Sequence, residues 1–252
     1  MFVVKAVDSK RLKDIFTAVS TVVDEATFHV GSQGIELRAM DPARVAMIDL
    51  FLPSTAFDQY RTSEDMELCL NTNQLLKLVK RARSTDSVEL SLDEEKGQLN
   101  VTIQGEYRRS FHMPVLEPQE EEAPPPQIVF QVKAALTTSG LRRILRDADL
   151  AADHVQLQAD GESLMMHSKG VLMEAKIDLQ KDSEALLSLK VEEPSQATFS
   201  LNYLTSIVKA ARSTSDIVTI EFSKDTPIRL DFKQPQDGRL RYYLAPRVET
   251  TQ

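Results

Sequence analysis

The 252-residue chain is 42% hydrophobic and 27% charged, enough to bury one large core or two of ordinary size, which excludes disorder throughout. Its 30 Lys+Arg stand against 38 Asp+Glu, so any affinity for a polyanion has to come from where the cations lie rather than from the overall balance. The longest apolar runs, such as MFVV at 1–4 and LFL at 50–52, fall far short of the roughly 20 residues that cross a bilayer. The opening residues show no basic stretch followed by an apolar export segment, so a soluble, intracellular protein with no membrane partner is expected.

In chain order, an opening strand is followed by a predicted helix over residues 9–23. Leu12, Ile15, Phe16, Val19 and Val23 fall at helical spacing behind Asp8 or Ser9 as N-cap. Period-two alternation in GIELRAM (34–40) and VAMIDLFL (45–52) then predicts strands. Cys69, the only cysteine, lies in the strand-like MELCLN; a buried, inert thiol is expected there, and an internal disulfide is impossible. A second helix is predicted from an Asn73 cap, burying Leu75, Leu76, Val79 and Ala82, with the strands VELSL and QLNVTIQ after it. LEPQEEEAPPPQ, residues 116–127, has no apolar periodicity and the composition of an extended linker. Beyond it the pattern returns. Leu141, Ile144, Leu145 and Ala148 repeat the first helical stripe; Asn202 caps a helix burying Leu204, Val208 and Ala211; IVTIEF and PIRLDF are strands.

The return is literal in places. LVKRARST at 78–85 recurs as IVKAARST at 207–214, 129 residues later, and MIDL at 47–50 matches KIDL at 176–179 with the same offset. Two copies of one domain are therefore expected, at residues 1–115 and 129–249, joined by a connector at 116–128. The fold class is α+β, with few helices on one face of antiparallel sheets.

Charge follows the helices. Lys77, Lys80 and Arg81 fall at i, i+3 and i+4, away from the apolar stripe, and Lys209 and Arg212 repeat the arrangement. Arg142, Arg143 and Arg146, and Lys10, Arg11 and Lys13, decorate the other two helices. All four helical segments are net positive although the chain is −8 overall, so a basic surface on an acidic body is predicted. With no tryptophan, and no aromatic exposed among these cations, a platform for stacking unpaired bases is excluded. No helix pairs Arg with Asn and Gln as base readout would require. Phosphate contact without sequence information remains, weak and salt-sensitive.

These features, with RAMDPARV (38–45), NTNQLLKLVKRA (71–82), DTPIRLDF (225–232) and the terminal GRLRYYLAPRV (238–248), resemble the sliding clamps of the proliferating cell nuclear antigen family, archaeal type. The resemblance implies a DNA-clamp fold in which three chains close a six-domain ring with every helix facing inward. Lys10, Arg11, Lys13, Lys77, Lys80, Arg81, Arg83, Arg142, Arg143, Arg146, Lys209 and Arg212 would then face double-stranded DNA. It implies a processivity factor for the replicative DNA polymerase, opened by an ATP-dependent clamp loader. It also implies docking of flap endonuclease, ligase and repair proteins through a glutamine-plus-aromatic motif, with a cytoplasmic, nucleoid-associated location, or nuclear if the source is eukaryotic. The docking residues implied are Met40, Arg44, Val45, Met47, Leu116, Ile128, Pro227, Tyr243, Leu244, Ala245 and Pro246, although this connector carries no aliphatic side chain between Leu116 and Ile128.

For the subunit contact the resemblance implies Arg83, Tyr107, Arg108, Arg109, Ser110, Phe111 and His112 against Asp147, Met173, Glu174, Ala175, Lys176, Ile177 and Asp178, with further copies of this chain or paralogues as neighbours. Edge strands of this kind are hazardous unless paired, which favours an oligomer. An enzyme is the competing class. His29, His112, His154 and His167 are scattered, no phosphate loop or nucleophile elbow is present, and DAD at 147–149 reads as a solvated helix end rather than a metal ligand pair. No cofactor and no metal are expected.

Overall fold

A computed structural model describes residues 1–118, 124 and 126–247. The acidic run of the expected connector and the last residues of the expected second domain (119–123, 125 and 248–252) lie outside the described residues. The chain forms two compact units, which part inside the expected connector. Unit one comprises Met1–Pro42, Ile48–Ala123 and Gln234–Leu240; unit two comprises Ala43–Met47, Pro124–Lys233 and Arg241–Gln252.

The first half runs β1 (Phe2–Ala6), α1 (Ser9–Val19), β2 (Glu25–Gly31), β3 (Gly34–Met40), β4 (Ala46–Pro53), β5 (Gln59–Thr62), β6 (Met66–Asn71), α2 (Thr72–Val79), β7 (Ser87–Asp93), β8 (Gln98–Gln104) and β9 (Arg108–Pro114). The second half repeats the order: β10 (Val132–Thr137), α3 (Thr138–Ala148), β11 (His154–Ala159), β12 (Ser163–Lys169), β13 (Glu174–Gln180), β14 (Leu186–Val191), β15 (Ser195–Ser200), α4 (Leu201–Ala211), β16 (Ile217–Phe222), β17 (Ile228–Phe232) and β18 (Arg239–Leu244). Strand pairing repeats as well. β5-β1-β7-β8-β9 corresponds to β14-β10-β16-β17-β18, and β6-β2-β3-β4 to β15-β11-β12-β13. The pairings β1–β5, β10–β16, β11–β12 and β2–β6 are antiparallel, in keeping with period-two alternation and one buried face.

Both helix pairs pack as pairs, α1 on α2 and α3 on α4. Their stripes are the predicted ones: Leu12, Ile15, Phe16, Leu75, Leu76 and Val79 are buried in unit one, and Leu141, Ile144, Leu145, Leu204 and Val208 in unit two. Each such side chain contributes about 1.5–3 kcal/mol by leaving water. The helix limits differ from expectation for a local reason. α1 stops at Val19, and a tight turn directs the amides of Val22 and Val23 to the Val19 carbonyl, so burial continues after the helix has ended. Likewise α2 ends at Val79 with Lys80 as C-cap. Arg81 and Ala82 sit in a following turn whose amides bond to Leu78 and Val79, so the basic row crosses a helix end instead of lying along a helix.

The expected caps shift too. Asp8 caps α1, its carboxylate accepting the Lys10 amide at 2.8 Å. The α2 cap is Asn71 rather than Asn73: the Asn71 side chain accepts the Gln74 amide at 2.9 Å, and Asn73 donates to Asp24 from within the first turn. α4 follows Ser200, not Asn202, and the Ser200 side chain makes no capping bond. Backbone anchoring sets both starts, since the Thr72 amide donates to the Asp24 carbonyl and the Leu201 amide to that of Asp153. The exits repeat this equivalence. The Leu116 amide donates to the Cys69 carbonyl on β6 (2.8 Å), and the Arg247 amide to that of Thr198 on β15 (2.7 Å). Cys69 is a free, buried thiol.

Candidate nucleic-acid interface, docking segment and subunit edges

The apolar stripes leave the remaining arc of each helix to its cations. Lys10, Lys77, Lys80, Arg81, Arg83, Arg143, Arg146, Lys209 and Arg212 are exposed, whereas Arg11, Lys13 and Arg142 are half-buried. Arg146 and Lys209 occupy the last turns of α3 and α4, and Lys77 that of α2, where a positive charge complements the carbonyl end of the helix. Arg11 is partly diverted to structure: it donates to Gln236 at 3.3 Å, and desolvation outweighs the nearby Asp8 and lowers its pKa. Arg83 meets Glu106 at 3.3 Å, a pair with both side chains exposed and so of little energetic weight. The arrangement is a set of point charges, most of them exposed, of the kind that suits phosphate contact, with no aromatic platform among them.

The residues expected to dock partners divide by burial. Met47, Tyr243 and Leu244 are buried, because β4 and β18 bury both faces over these stretches, so none of the three lies open to a partner. Met40, Val45, Leu116, Ile128, Pro227, Ala245 and Pro246 are half-buried, and Arg44 is exposed in a left-handed conformation (φ 56°). Within unit two the Ala245 amide donates to the Val45 carbonyl at 2.9 Å, which fixes the chain just past β18. Tyr243 stands opposite Arg229 in the β17–β18 register.

The expected subunit contact falls on two sheet edges. β9 is the outer strand of β5-β1-β7-β8-β9, and β13 is the outer strand of its own four-stranded sheet. Both strands expose every second residue in the same pattern, Arg108, Ser110, His112 and Pro114 on one, Glu174, Lys176, Asp178 and Gln180 on the other. Three of the charged residues named for that contact are engaged within their own unit. Arg109 donates to Asp86 at 2.6 Å, and backbone bonding from Arg83 together with this guanidinium lowers the Asp86 pKa. Arg83 meets Glu106, and Glu174 meets Lys176 at 3.1 Å and His167 at 2.7 Å, which lowers the Glu174 pKa. Sequence reasoning missed the apolar residues beside the β13 edge. Val171 and Leu172 are essentially fully exposed, at 101% and 98%, and Leu150, at the end of α3, is 72% exposed. Isolated apolar residues in turns carry no periodicity, so only their type could have signalled them.

A cavity of about 470 Å³ in unit one, lined in part by His29, Glu36, Phe51 and Glu67, contains none of the sequence-nominated residues. Among the described residues no group of three or more His, Cys, Asp or Glu is placed to hold a metal, and no helix is long and apolar enough to cross a membrane.

Residues 1–116 match the family "Proliferating cell nuclear antigen, N-terminal domain" and residues 126–247 match "Proliferating cell nuclear antigen, C-terminal domain". The DNA polymerase sliding clamp of Nitrosopumilus maritimus is 37% identical over 249 residues, 99% of each chain. DNA polymerase sliding clamp 1 of Pyrobaculum aerophilum is 35% identical over 96% of this chain and 97% of its own. Among solved structures, PCNA from Thermococcus kodakaraensis superposes with a TM-score of 0.92 at 26% identity, covering 98% of this chain and all of that one. A chain of the PCNA2–PCNA3 complex from Sulfolobus tokodaii gives 0.89 at 28% identity, covering 97% and 99%. Two tandem domains with the same element order, exposed cations on paired helices and whole-length similarity together place this chain in the proliferating cell nuclear antigen family of DNA polymerase sliding clamps.

Proposed function

We propose that three copies of this chain, or this chain with paralogous clamp subunits, close a ring around double-stranded DNA and tether the replicative polymerase to it. The observation that carries this reading is the repetition itself: two copies of one fold, each presenting its cations on the exposed arc of a helix pair. Duplex DNA offers about one negative charge per 1.7 Å of axis, so interchangeable phosphate contacts let it move while closure prevents escape. Retention is topological, and the chain needs no chemistry of its own. It acts as a non-enzymatic scaffold, with the domain division at 115 and 129 and an ATP-driven loader to open the ring.

Ring closure pairs β9 of one subunit with β13 of the next, which removes both exposed edges. Val171, Leu172 and Leu150 cover apolar surface at the same joint. Docking of polymerase, flap endonuclease, ligase and repair proteins uses the half-buried residues around Val45, Pro227 and Ala245–Pro246, where the chain past β18, held by the bond from the Ala245 amide to the Val45 carbonyl, offers a fixed surface to an extended peptide. Location follows from the substrate: the cytoplasm, at the nucleoid. Calorimetry with a synthetic peptide carrying a glutamine and an aromatic pair tests the docking half. Ala245→Asp with Pro246→Ala abolishes binding while the oligomer persists, and wild-type affinity in that variant refutes the assignment.

A further inference from the structure

In unit two, two separate stretches, residues 129–131 and β18, converge on the β16–β17 hairpin. Ser223, buried just past β16, donates its hydroxyl to the Val129 carbonyl (3.2 Å) and accepts the Gln131 amide (2.9 Å). One strand over, Arg229 lays its guanidinium 4.9 Å from the centroid of the Phe130 ring and pairs with the buried carboxylate of Glu221. The same residue stands in register with Tyr243 on β18. Burial by itself disfavours the Arg229 charge, but Glu221 and the Tyr243 hydroxyl outweigh it and raise the pKa, so the guanidinium stays charged. Tyr243 thus belongs to one polar clasp with Arg229, and Ile128 and Pro227, also nominated for docking, lie within two residues in sequence of Phe130 and Arg229.

We propose that Arg229 is a positioning residue for partner docking: by holding Phe130 and Tyr243 together, it fixes the connector's exit at Ile128 relative to the C-terminal segment from Tyr243 to Pro246 before a peptide arrives. The inference rests on the docking reading above. A planar guanidinium can stack on Phe130 and present donors to Glu221 and Tyr243 at once, whereas a lysine ammonium supplies charge alone. Preorganisation of this kind strengthens binding by removing ordering costs that the peptide would otherwise bear. A purely structural Arg229, present only to neutralise Glu221, would affect stability and leave peptide affinity untouched.

The test is a double-mutant cycle on the full chain, read by calorimetry with the same synthetic glutamine-plus-aromatic peptide. Arg229→Lys keeps Glu221 paired, and Tyr243→Phe removes one hydroxyl while keeping the ring, so neither empties the core. Each variant is expected to weaken binding about fivefold, the scale of one lost hydrogen bond, and the double variant no further than the weaker single one. Wild-type affinity in either variant, or losses that simply multiply in the double variant, overturns the role of Arg229 alone. A wild-type chain that does not bind the peptide overturns the docking reading, and the inference with it.

Discussion

Replacing Lys80, Arg146 and Lys209 together by Gln removes three exposed cations, from the end of α2 and from the last turns of α3 and α4. None of the three has an ion-pair partner among the described residues, so no acid is orphaned by the change. Each sits where it favours the carbonyl end of its helix, so the fold loses about 0.3–1 kcal/mol per site and stays folded. The effect on DNA is larger. Phosphate binding scales with salt as roughly 0.9 per contact in the logarithmic slope, so losing three contacts lowers the slope by about 2.7 for each engaged subunit. Fluorescence anisotropy of a short duplex, titrated across a range of KCl concentrations, reads this slope directly. Lys96, Lys181 and Lys190, which pair with Asp93, Glu162 and Glu192 away from the helices, serve as the control triple and leave the slope unchanged. An unaltered slope in the helix triple, or an equal fall in the control triple, refutes the assignment of DNA contact to the helix arcs.

Other outcomes follow from the packing and the charges. Gly34→Ala places a Cβ 2.2 Å from the Leu52 carbonyl oxygen in a backbone conformation with φ 153°; thermal unfolding should show a loss of at least 1–3 kcal/mol, and a neutral result would contradict the β3–β4 packing. Val171→Asp with Leu172→Asp changes two fully exposed side chains, so each subunit should fold normally while light scattering falls from the mass of three chains to that of one. Asp86, Asp160 and Glu174 all have pKa values lowered in the folded state: Asp86 by the Arg83 amide and then Arg109, Asp160 by the amides of Glu162 and Ser163, Glu174 by Lys176 and His167. Their stabilising effect is complete above the unfolded carboxylate value of about 4 and is lost as pH falls through the lower folded values. Asp86→Asn should therefore lower stability at neutral pH and flatten the acid limb of a urea-denaturation series; an unchanged acid limb would exclude this carboxylate as a contributor.

Much of the architecture was readable because it was written twice. The apolar stripes of α1 and α3 share a 3.6-residue period and a fixed offset, so Leu12 and Leu141 announced equivalent helices without any contact being known. The caps were less legible, since Asn71, Asn73, Ser200 and Asn202 are all competent residues and the choice is made by backbone bonds to Asp24 and Asp153, far away in sequence. The docking segment is hard to read for a different reason. Tyr242, Tyr243 and Leu244 are three consecutive buried residues, and alternation cannot say which of them faces a partner when both strand faces are covered. Nor could spacing reveal that Arg109 is held by Asp86, or that Val171 and Leu172 stand exposed beside an open strand edge, because turns carry no periodic signal.

The central claim is encirclement, and retention on DNA of different topology measures it most directly. After loading by an ATP-driven clamp loader, the protein should remain on closed circular DNA through gel filtration in salt that abolishes phosphate contact, and should be lost when one cut linearises the circle. Equal loss from circular and linear DNA, or equal persistence on both, would contradict a closed ring and leave only ordinary surface binding.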